Sequence, residues 1–146
     1  RGTAVMRGYR NLPERSAEAL HDGWLLTDDI GSLDDQARLT VQGHVSACFS
    51  KGGFPVYAWE VEDVLRSHPS IKDAAVVGVP DPVYGVELKA CVVSNNGTVV
   101  ATGALIDYLK AQLPIYKCPR IIKFYKELPR TPGGKIKRSL LREDRA

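Results

Sequence analysis

The sequence predicts an α+β fold, in which helices pack on a small β-sheet and a β-hairpin precedes that sheet. β-branched runs at residues 71–79 and 86–93 indicate two strands, and apolar residues recur at helical spacing before and after them. With 44% hydrophobic and 25% charged residues, the composition is that of a globular protein, not of a disordered or fibrous one. At 146 residues, the chain is long enough for one domain with a piece of another.

Residues 1–46 predict a short helix and then a hairpin. Pro13 suits a first helical position and Gly23 follows as a stop signal, so we expect a helix over residues 13–21 and an extended segment over residues 24–30. Asp34 and Asp35 indicate a turn, after which residues 38–41 alternate between polar and apolar as a half-buried strand does. The small, polar residues 43–46 predict a boundary and a hinge. Because the chain opens at Arg1 on an apolar strand end, we expect it to begin inside a larger protein.

Residues 47–146 predict the order βαββαβ. A loop at residues 51–53 precedes a helix whose apolar face carries positions 57, 61, 64 and 65 and which ends at His68 and Pro69. The two β-branched strands are joined by residues 80–82, and a second amphipathic helix over residues 105–113 stops at Pro114. Residues 120–125 predict a last strand, and residues 139–142 a helical turn. Between them, turn-forming residues at 128–134 present Lys135.

Charge is spread unevenly along the chain. Residues 1–109 hold 9 Lys/Arg against 14 Asp/Glu, whereas residues 110–146 hold 11 against 3. The basic end therefore predicts an anionic partner, which could be a nucleotide, CoA, a nucleic acid or an acidic face of another domain. Of these partners, nucleic acid is disfavoured, because aromatic residues beyond Phe124 and Tyr125 are not interleaved with basic ones on a predicted groove face.

The cysteine pattern and the hydropathy exclude two classes of protein. Cys48, Cys91 and Cys118 are widely spaced and have no metal-ligand spacing, so we expect reduced, buried thiols and no metal site. The longest apolar run, residues 74–80, is far shorter than the roughly 20 residues of a membrane helix. We therefore expect a cytoplasmic protein with no membrane span.

Three segments of the sequence resemble motifs of acyl-CoA synthetases, which are AMP-forming members of the adenylate-forming enzymes. Gly-Trp-Leu-Leu-Thr-Asp-Asp-Ile-Gly at residues 23–31 resembles their Gly-Trp-x-x-Thr-Gly-Asp-Ile-Gly segment. Residues 51–62, which begin Lys-Gly-Gly-Phe-Pro-Val-Tyr, resemble their Ser-Gly-Gly-x-x-(Val/Ile)-Tyr segment. Leu-Pro-Arg-Thr-Pro-Gly-Gly-Lys-Ile-Lys-Arg at residues 128–138 resembles their closing motif. The resemblance covers essentially the whole chain and leans towards fatty-acid-CoA ligases.

The resemblance implies a C-terminal portion of such a ligase. Residues 1–46 would be the end of the large N-terminal adenylation domain plus a hinge, and residues 47–146 the C-terminal lid domain. The complete enzyme would join a carboxylate to ATP as an acyl-adenylate and then transfer the acyl group to CoA. ATP, Mg²⁺ and CoA would serve the complete enzyme, and none is expected to bind this chain. We expect the isolated chain to be inactive without its partner, the large domain.

The resemblance also implies roles for individual residues. Lys135 matches the adenylation lysine, and Asp29 matches the aspartate that binds the ribose hydroxyls of the nucleotide. Gly52 and Gly53 match the loop along the path of CoA, where Lys51 could meet phosphates. Each role has a purely structural alternative. Lys135 could be a solvent-exposed lysine, Asp29 an ordinary turn aspartate, and Gly52 and Gly53 a tight turn before a helix.

Departures from the family pattern cluster near the nucleotide and the hinge. Asp28 replaces a glycine, and His44 replaces an arginine that would contact the nucleotide. Ala47 replaces the polar hinge residue. These departures suit a weakened enzyme, a relic or engineered changes. They also leave open a noncatalytic interaction module that binds a large ligase domain or an acyl-carrier protein, since the basic end fits an acidic carrier surface.

Overall fold

The computed structural model describes residues 1–95 and 100–144, which form two compact units, Arg1–Val45 and Ser46–Ala146. Each unit has its own strands and helices. Within the described residues, no helix is both long enough and apolar enough to cross a membrane.

The first unit opens with helix α1, Pro13–Ala19, which has a proline in its first turn. The helix predicted over residues 13–21 is wrong at its end, because Leu20–His21 (β1) pairs with Trp24–Leu25 (β2). Between these strands, Asp22 and Gly23 have φ angles of 48° and 78°. An Asp-Gly pair with both φ angles positive favours a two-residue hairpin turn. Gly23 therefore reverses the chain instead of only stopping a helix.

The predicted hairpin of the first unit is confirmed. Strand β3, Asp29–Leu33, pairs antiparallel with β4, Leu39–His44. Asp34 organises the turn, since its Oδ1 accepts the backbone N–H groups of Gln36 and Arg38, each at 2.9 Å. The turn between the strands is thus closed by a side chain, as Asp commonly does.

The second unit opens with a hairpin that the sequence reading did not predict. After a 3-10 turn at Val45–Ala47, strand β5, Cys48–Lys51, pairs antiparallel with β6, Phe54–Tyr57. The predicted loop at residues 51–53 is only the two-glycine turn of this hairpin. Helix α2, Ala58–Ser67, follows directly and ends before His68, as predicted.

A three-stranded sheet forms the centre of the second unit. Strand β7, Ile71–Asp81, pairs antiparallel with β8, Gly85–Ser94, and β9, Ile121–Phe124, runs parallel to β8 on its other side. Helix α3, Thr102–Lys110, lies between β8 and β9 in the chain and is shorter than the predicted 105–113 at its C-terminal end. Helix α4, Arg138–Glu143, closes the unit, where a helical turn is predicted.

Both faces of this sheet are covered, which explains why β7 and β8 are almost continuously apolar. One face of the sheet packs on α2 and α3. This part of the core contains Ala74, Val76, Leu88, Ala90 and Val92 of the sheet and Val61, Leu65, Leu105 and Leu109 of the helices. The alternate strand residues lie on the other face of the sheet. There Ala75, Val77, Cys91 and Val93 pack with Leu128 and with Leu141 of α4. The α+β fold class, with helices on a small sheet preceded by a hairpin, is confirmed.

Candidate functional sites

Lys135 lies on an exposed turn of the second unit. The backbone N–H of Gly134 donates to Thr131 O at 2.9 Å, and that of Thr131 donates to Lys135 O at 2.8 Å. The N–H of Lys135 donates to Thr131 Oγ1 at 3.2 Å. Gly134 has a φ of 83°, in the left-handed region that favours glycine. The closing motif is thus a small hairpin whose turn presents the ammonium group of Lys135 to solvent.

Gly52 and Gly53 form the turn of the β5–β6 hairpin, with φ angles of 58° and 86°. The N–H of Gly52 donates to Tyr84 O at 3.2 Å, and a Cβ at Gly52 would stand 3.3 Å from Tyr84 Cδ1. Glycine is therefore suited here both for its conformation and for the close approach to the β7–β8 turn.

A cavity of about 690 Å³ opens beside this turn. Its lining combines an apolar floor with cationic groups: Lys51, Gly52, Phe54, Tyr84, Ile106, Lys110, Ile115, Tyr116, Cys118, Pro119 and Arg120. The rings of Phe54 and Tyr116 lie 5.2 Å apart, between centroids. A slot of this kind suits a thin ligand that has an apolar stem and an anionic end.

Lys51, whose predicted role is to meet phosphates, is itself buried. Its Nζ lies 2.5 Å from Glu87 Oε1 and donates to Cys118 O at 3.3 Å. Glu87 is also buried, on strand β8. The geometry therefore favours a structural role for Lys51. The sequence reading missed Glu87, although a carboxylate in an otherwise apolar strand was the available signal.

Asp29 and His44 are cross-strand neighbours at the open end of the β3–β4 hairpin. Both side chains are exposed, and the N–H of Asp29 is bonded to Thr27 Oγ1 at 3.3 Å. Next to them, Asp28 has a φ of 57°, which interrupts the extended segment predicted over residues 24–30. This is the position where the family motif has glycine, so the backbone conformation that glycine favours is retained by an aspartate.

A cleft of about 750 Å³ in the first unit runs beside the same residues and is lined by Asp28 and His44 together with Tyr9, Arg15, Glu18 and Leu26, among others. Ala47, by contrast, is buried in the core of the second unit. The boundary between the two compact units falls between Val45 and Ser46. In residues 1–95 and 100–144, no group of His, Cys, Asp and Glu side chains could hold a metal ion.

Comparison with known proteins decides the family. The AMP-binding enzyme C-terminal domain matches residues 60–135. The chain belongs to this family. The predicted resemblance to acyl-CoA synthetases is confirmed, because curated relatives that are CoA ligases align with nearly the whole chain.

Two relatives illustrate this similarity. A 3-[(3aS,4S,7aS)-7a-methyl-1,5-dioxo-octahydro-1H-inden-4-yl]propanoyl:CoA ligase of Rhodococcus jostii (strain RHA1) is 38% identical over 146 residues, which are 99% of this chain and 28% of the relative. A long-chain-fatty-acid–CoA ligase of Bacillus subtilis (strain 168) is 39% identical over 144 residues, which are 99% of this chain and 26% of the relative. The chain thus spans about a quarter of the length of these relatives.

Solved structures of the AMP-binding family agree with the fold. ATP-bound MatB from Rhodopseudomonas palustris matches with a TM-score of 0.93 at 30% identity, over 98% of this chain and 29% of that protein. Amide bond synthetase McbA from Marinactinospora thermotolerans matches with a TM-score of 0.87 at 36% identity, over 94% of this chain and 28% of that protein.

Proposed function

We propose that this chain is the C-terminal part of an ATP-dependent, AMP-forming acid-CoA ligase, and that its second unit is the lid over the active site. The observation that carries the proposal is the alignment of CoA ligases with 99% of the chain, including the turn that exposes Lys135. Residues 1–46 would end the large adenylation domain, and Ala47 would be the hinge residue. A leaning towards fatty acids and a cytoplasmic location stay predictions from the sequence.

The reaction has two group-transfer steps. In the first, a carboxylate oxygen of the acid attacks the α-phosphorus of ATP, forms the acyl-phosphate bond and releases pyrophosphate. In the second, the sulfur of CoA attacks the acyl carbon, loses its proton and releases AMP. Mg²⁺ in the complete enzyme would neutralise the phosphates during the first step.

Lys135 would act in the first step. A cation that lies where the carboxylate, the α-phosphate and the ribose oxygen meet reduces the repulsion between the two anions and stabilises the charge that develops between them. Because its turn is closed by its own hydrogen bonds, the exposed Lys135 can enter another domain's site with little further loss of backbone entropy. Asp29 would accept hydrogen bonds from the ribose hydroxyls, beside His44.

Gly52 and Gly53 would act in the second step. The cavity beside their turn has the size and the mixed apolar and cationic lining that suit the pantetheine arm of CoA. Because the ammonium of Lys51 is paired with Glu87, we assign the CoA path to the two glycines and not to Lys51.

A change of conformation within ligases of this family is supported by one relative. MatB from Rhodopseudomonas palustris matches this chain with a TM-score of 0.93 in its ATP-bound structure and 0.70 in its apo structure, at 30% and 31% identity. The matched part of MatB therefore differs in shape between these two structures. This supports a rotation of the lid on the large domain in ligases of this family.

An add-back assay tests the proposal. This chain is mixed with the large domain of a matching ligase, ATP, a fatty acid and CoA, and AMP release is followed. We expect turnover that neither piece gives alone and that Lys135→Ala lowers by about a hundredfold or more. The matched control is Lys137→Ala, which removes another exposed ammonium from the same segment. AMP release by this chain alone, or equal losses in both variants, would contradict the proposal.

An interaction module is the second candidate. It is favoured by the rim of the cavity, where Ile115, 76% exposed, lines the opening together with Lys110 and Arg120. An apolar group among cations suits an acidic carrier protein. Capture of acyl-carrier protein that survives Lys135→Ala but is lost in Lys110→Glu/Arg120→Glu would support this candidate. Capture lost equally in Lys135→Ala would contradict it.

A further inference from the structure

Arg138, the first residue of α4, follows the Lys135 turn in the chain. Its guanidinium is hydrogen-bonded to buried groups of the core. Its Nη1 lies 2.5 Å from Glu62 Oε1 and donates to Val76 O at 2.8 Å, and its Nη2 donates to Glu62 Oε2 at 3.2 Å. The guanidinium thus holds both oxygens of one carboxylate. A lysine could not reproduce this fork.

Glu62 is a buried carboxylate, only 3% exposed, on helix α2. Besides Arg138, its Oε1 accepts the backbone N–H of Val76 at 2.7 Å, and its Oε2 accepts from Arg66 at 3.1 Å. One carboxylate therefore joins α2, the middle of β7 and the start of α4. Since a buried carboxylate is costly unless it is paired, these partners hold each other strongly in one geometry.

The other side of the turn is anchored too. Arg130 donates from Nη1 to Gly134 O at 2.7 Å, inside the turn, and pairs through Nη2 with Asp73 of β7. The N–H of Lys137 donates to Pro129 O at 2.8 Å, and Arg130 forms a β-bridge with Ile136. The turn that carries Lys135 is thus braced on the sheet both before and after the lysine.

We propose that Arg138, held by Glu62, is a positioning residue for Lys135. This inference rests on the proposed role of Lys135 in adenylation. A side chain that must enter another domain's site needs its own domain to fix its base, because a displacement of about 1 Å can cost on the order of a hundredfold in rate. Arg138 lies three residues after Lys135, where it fixes the direction in which the chain continues from the turn into α4.

The test separates the two half-reactions in one enzyme. This chain replaces the matching part of the Bacillus subtilis long-chain-fatty-acid–CoA ligase, and two rates are measured: acyl-adenylate formation from ATP and acid, and thioester formation from preformed acyl-adenylate and CoA. The variants are Lys135→Ala, Arg138→Met and, as a matched control, Arg142→Met, which makes the same charge change at an exposed position of α4.

We expect Arg138→Met to lower kcat of adenylation by about tenfold to a hundredfold, with little change in KM for ATP and an unchanged thioester rate. Arg142→Met should leave both rates unchanged. In a Lys135→Ala background, Arg138→Met should cause no further loss, because it acts through that lysine.

Other results would overturn the inference: an unchanged adenylation rate in Arg138→Met, equal losses in both half-reactions, or a further loss in the Lys135→Ala background. If Arg138→Met does not fold, Arg138→Lys is judged by the same criteria, since it keeps the charge and loses the fork. The proposed function fails separately if Lys135→Ala leaves adenylation unchanged.

Discussion

The ammonium of Lys51 lies 2.5 Å from Oε1 of Glu87, and both side chains are buried in the second unit. The pair joins the last residue of β5 to strand β8 and thereby fixes the Gly52–Gly53 turn against the cavity. The other oxygen of the carboxylate, Oε2, has no hydrogen-bond partner in the part of the chain that the structure describes. Its charge partner is the exposed Arg120, whose Nε lies 3.9 Å away. Lys51 is therefore the close, buried cation of Glu87, and Arg120 is a more distant one.

Removal of one member of this pair should destabilise the second unit. Lys51→Met leaves a buried carboxylate with only the exposed Arg120 as a distant cation, which should lower the free energy of unfolding by about 3–5 kcal/mol. Urea unfolding is followed by the fluorescence of Trp59 in α2, in a Trp24→Phe background. The double variant Lys51→Met/Glu87→Leu should recover most of the loss, because no charge remains buried.

The control for this pair is Lys72→Met, at an exposed position of β7. It should change the free energy of unfolding by less than about 0.5 kcal/mol. A loss in Lys51→Met no larger than in this control, or no recovery in the double variant, would contradict a buried ion pair.

Local sequence patterns were enough to predict the central sheet and its helices. The apolar runs of β7 and β8 and the spacing of Val61 and Leu65 reflect burial that is decided within each element. The turn that presents Lys135 was also predictable, because its Pro and Gly residues act locally.

Features that depend on distant partners could not be predicted. Lys51 meets a carboxylate 36 positions later, and Arg138 meets one 76 positions earlier, so neither pairing has a signature in its own neighbourhood. The hairpin β5–β6 was missed for a different reason, because its local Gly-Gly hairpin signal was assigned to a loop. Asp22-Gly23 gave a clear local hairpin signal that was read as a helix stop.

The three thiols should differ in reactivity. Burial raises the pKa of both Cys91 and Cys118, whereas Cys48 is only half-buried. Because the thiolate is the reactive form, iodoacetamide at pH 8 should modify Cys48 first and the other two only slowly. Peptide mass spectrometry over time gives the order. In urea the three rates should converge, and faster labelling of Cys91 than of Cys48 in the native protein would refute the burial described.

Stability should fall at both acid and alkaline pH because of one contact between the residue that follows β9 and the residue that follows α4. Tyr125 Oη donates to Asp144 Oδ2 at 2.5 Å, and Lys123 lies 2.8 Å from Oδ1. The bonds from Lys123 and Tyr125 lower the pKa of Asp144, whereas burial and the bond to Asp144 raise the pKa of Tyr125.

The lowered pKa of Asp144 contributes stability above the unfolded value near about 4, and that stability is lost as pH falls through the folded value. The raised pKa of Tyr125 contributes stability below about 10, which is lost as the pH rises above it and tyrosine ionises in the unfolded state. Urea unfolding of Tyr125→Phe from pH 7 to 11 should show a shallower alkaline decline than the parent. Identical slopes would contradict the assignment to Tyr125.

Asp28 and Ala37 both hold left-handed backbone conformations, with φ angles of 57° and 58°, which cost a non-glycine residue roughly 1–2 kcal/mol. Glycine removes this strain but increases the entropy of the unfolded chain, at a cost of about 0.4–1 kcal/mol. We therefore expect Ala37→Gly to stabilise the first unit by up to about 1 kcal/mol, and Asp28→Gly by less, because Asp tolerates this conformation better.

The control Thr40→Gly, in the extended strand β4, should instead destabilise the first unit by about 1 kcal/mol. Urea unfolding followed by Trp24 fluorescence distinguishes these outcomes, and a loss in Asp28→Gly equal to that in Thr40→Gly would show that Asp28 is not left-handed in solution.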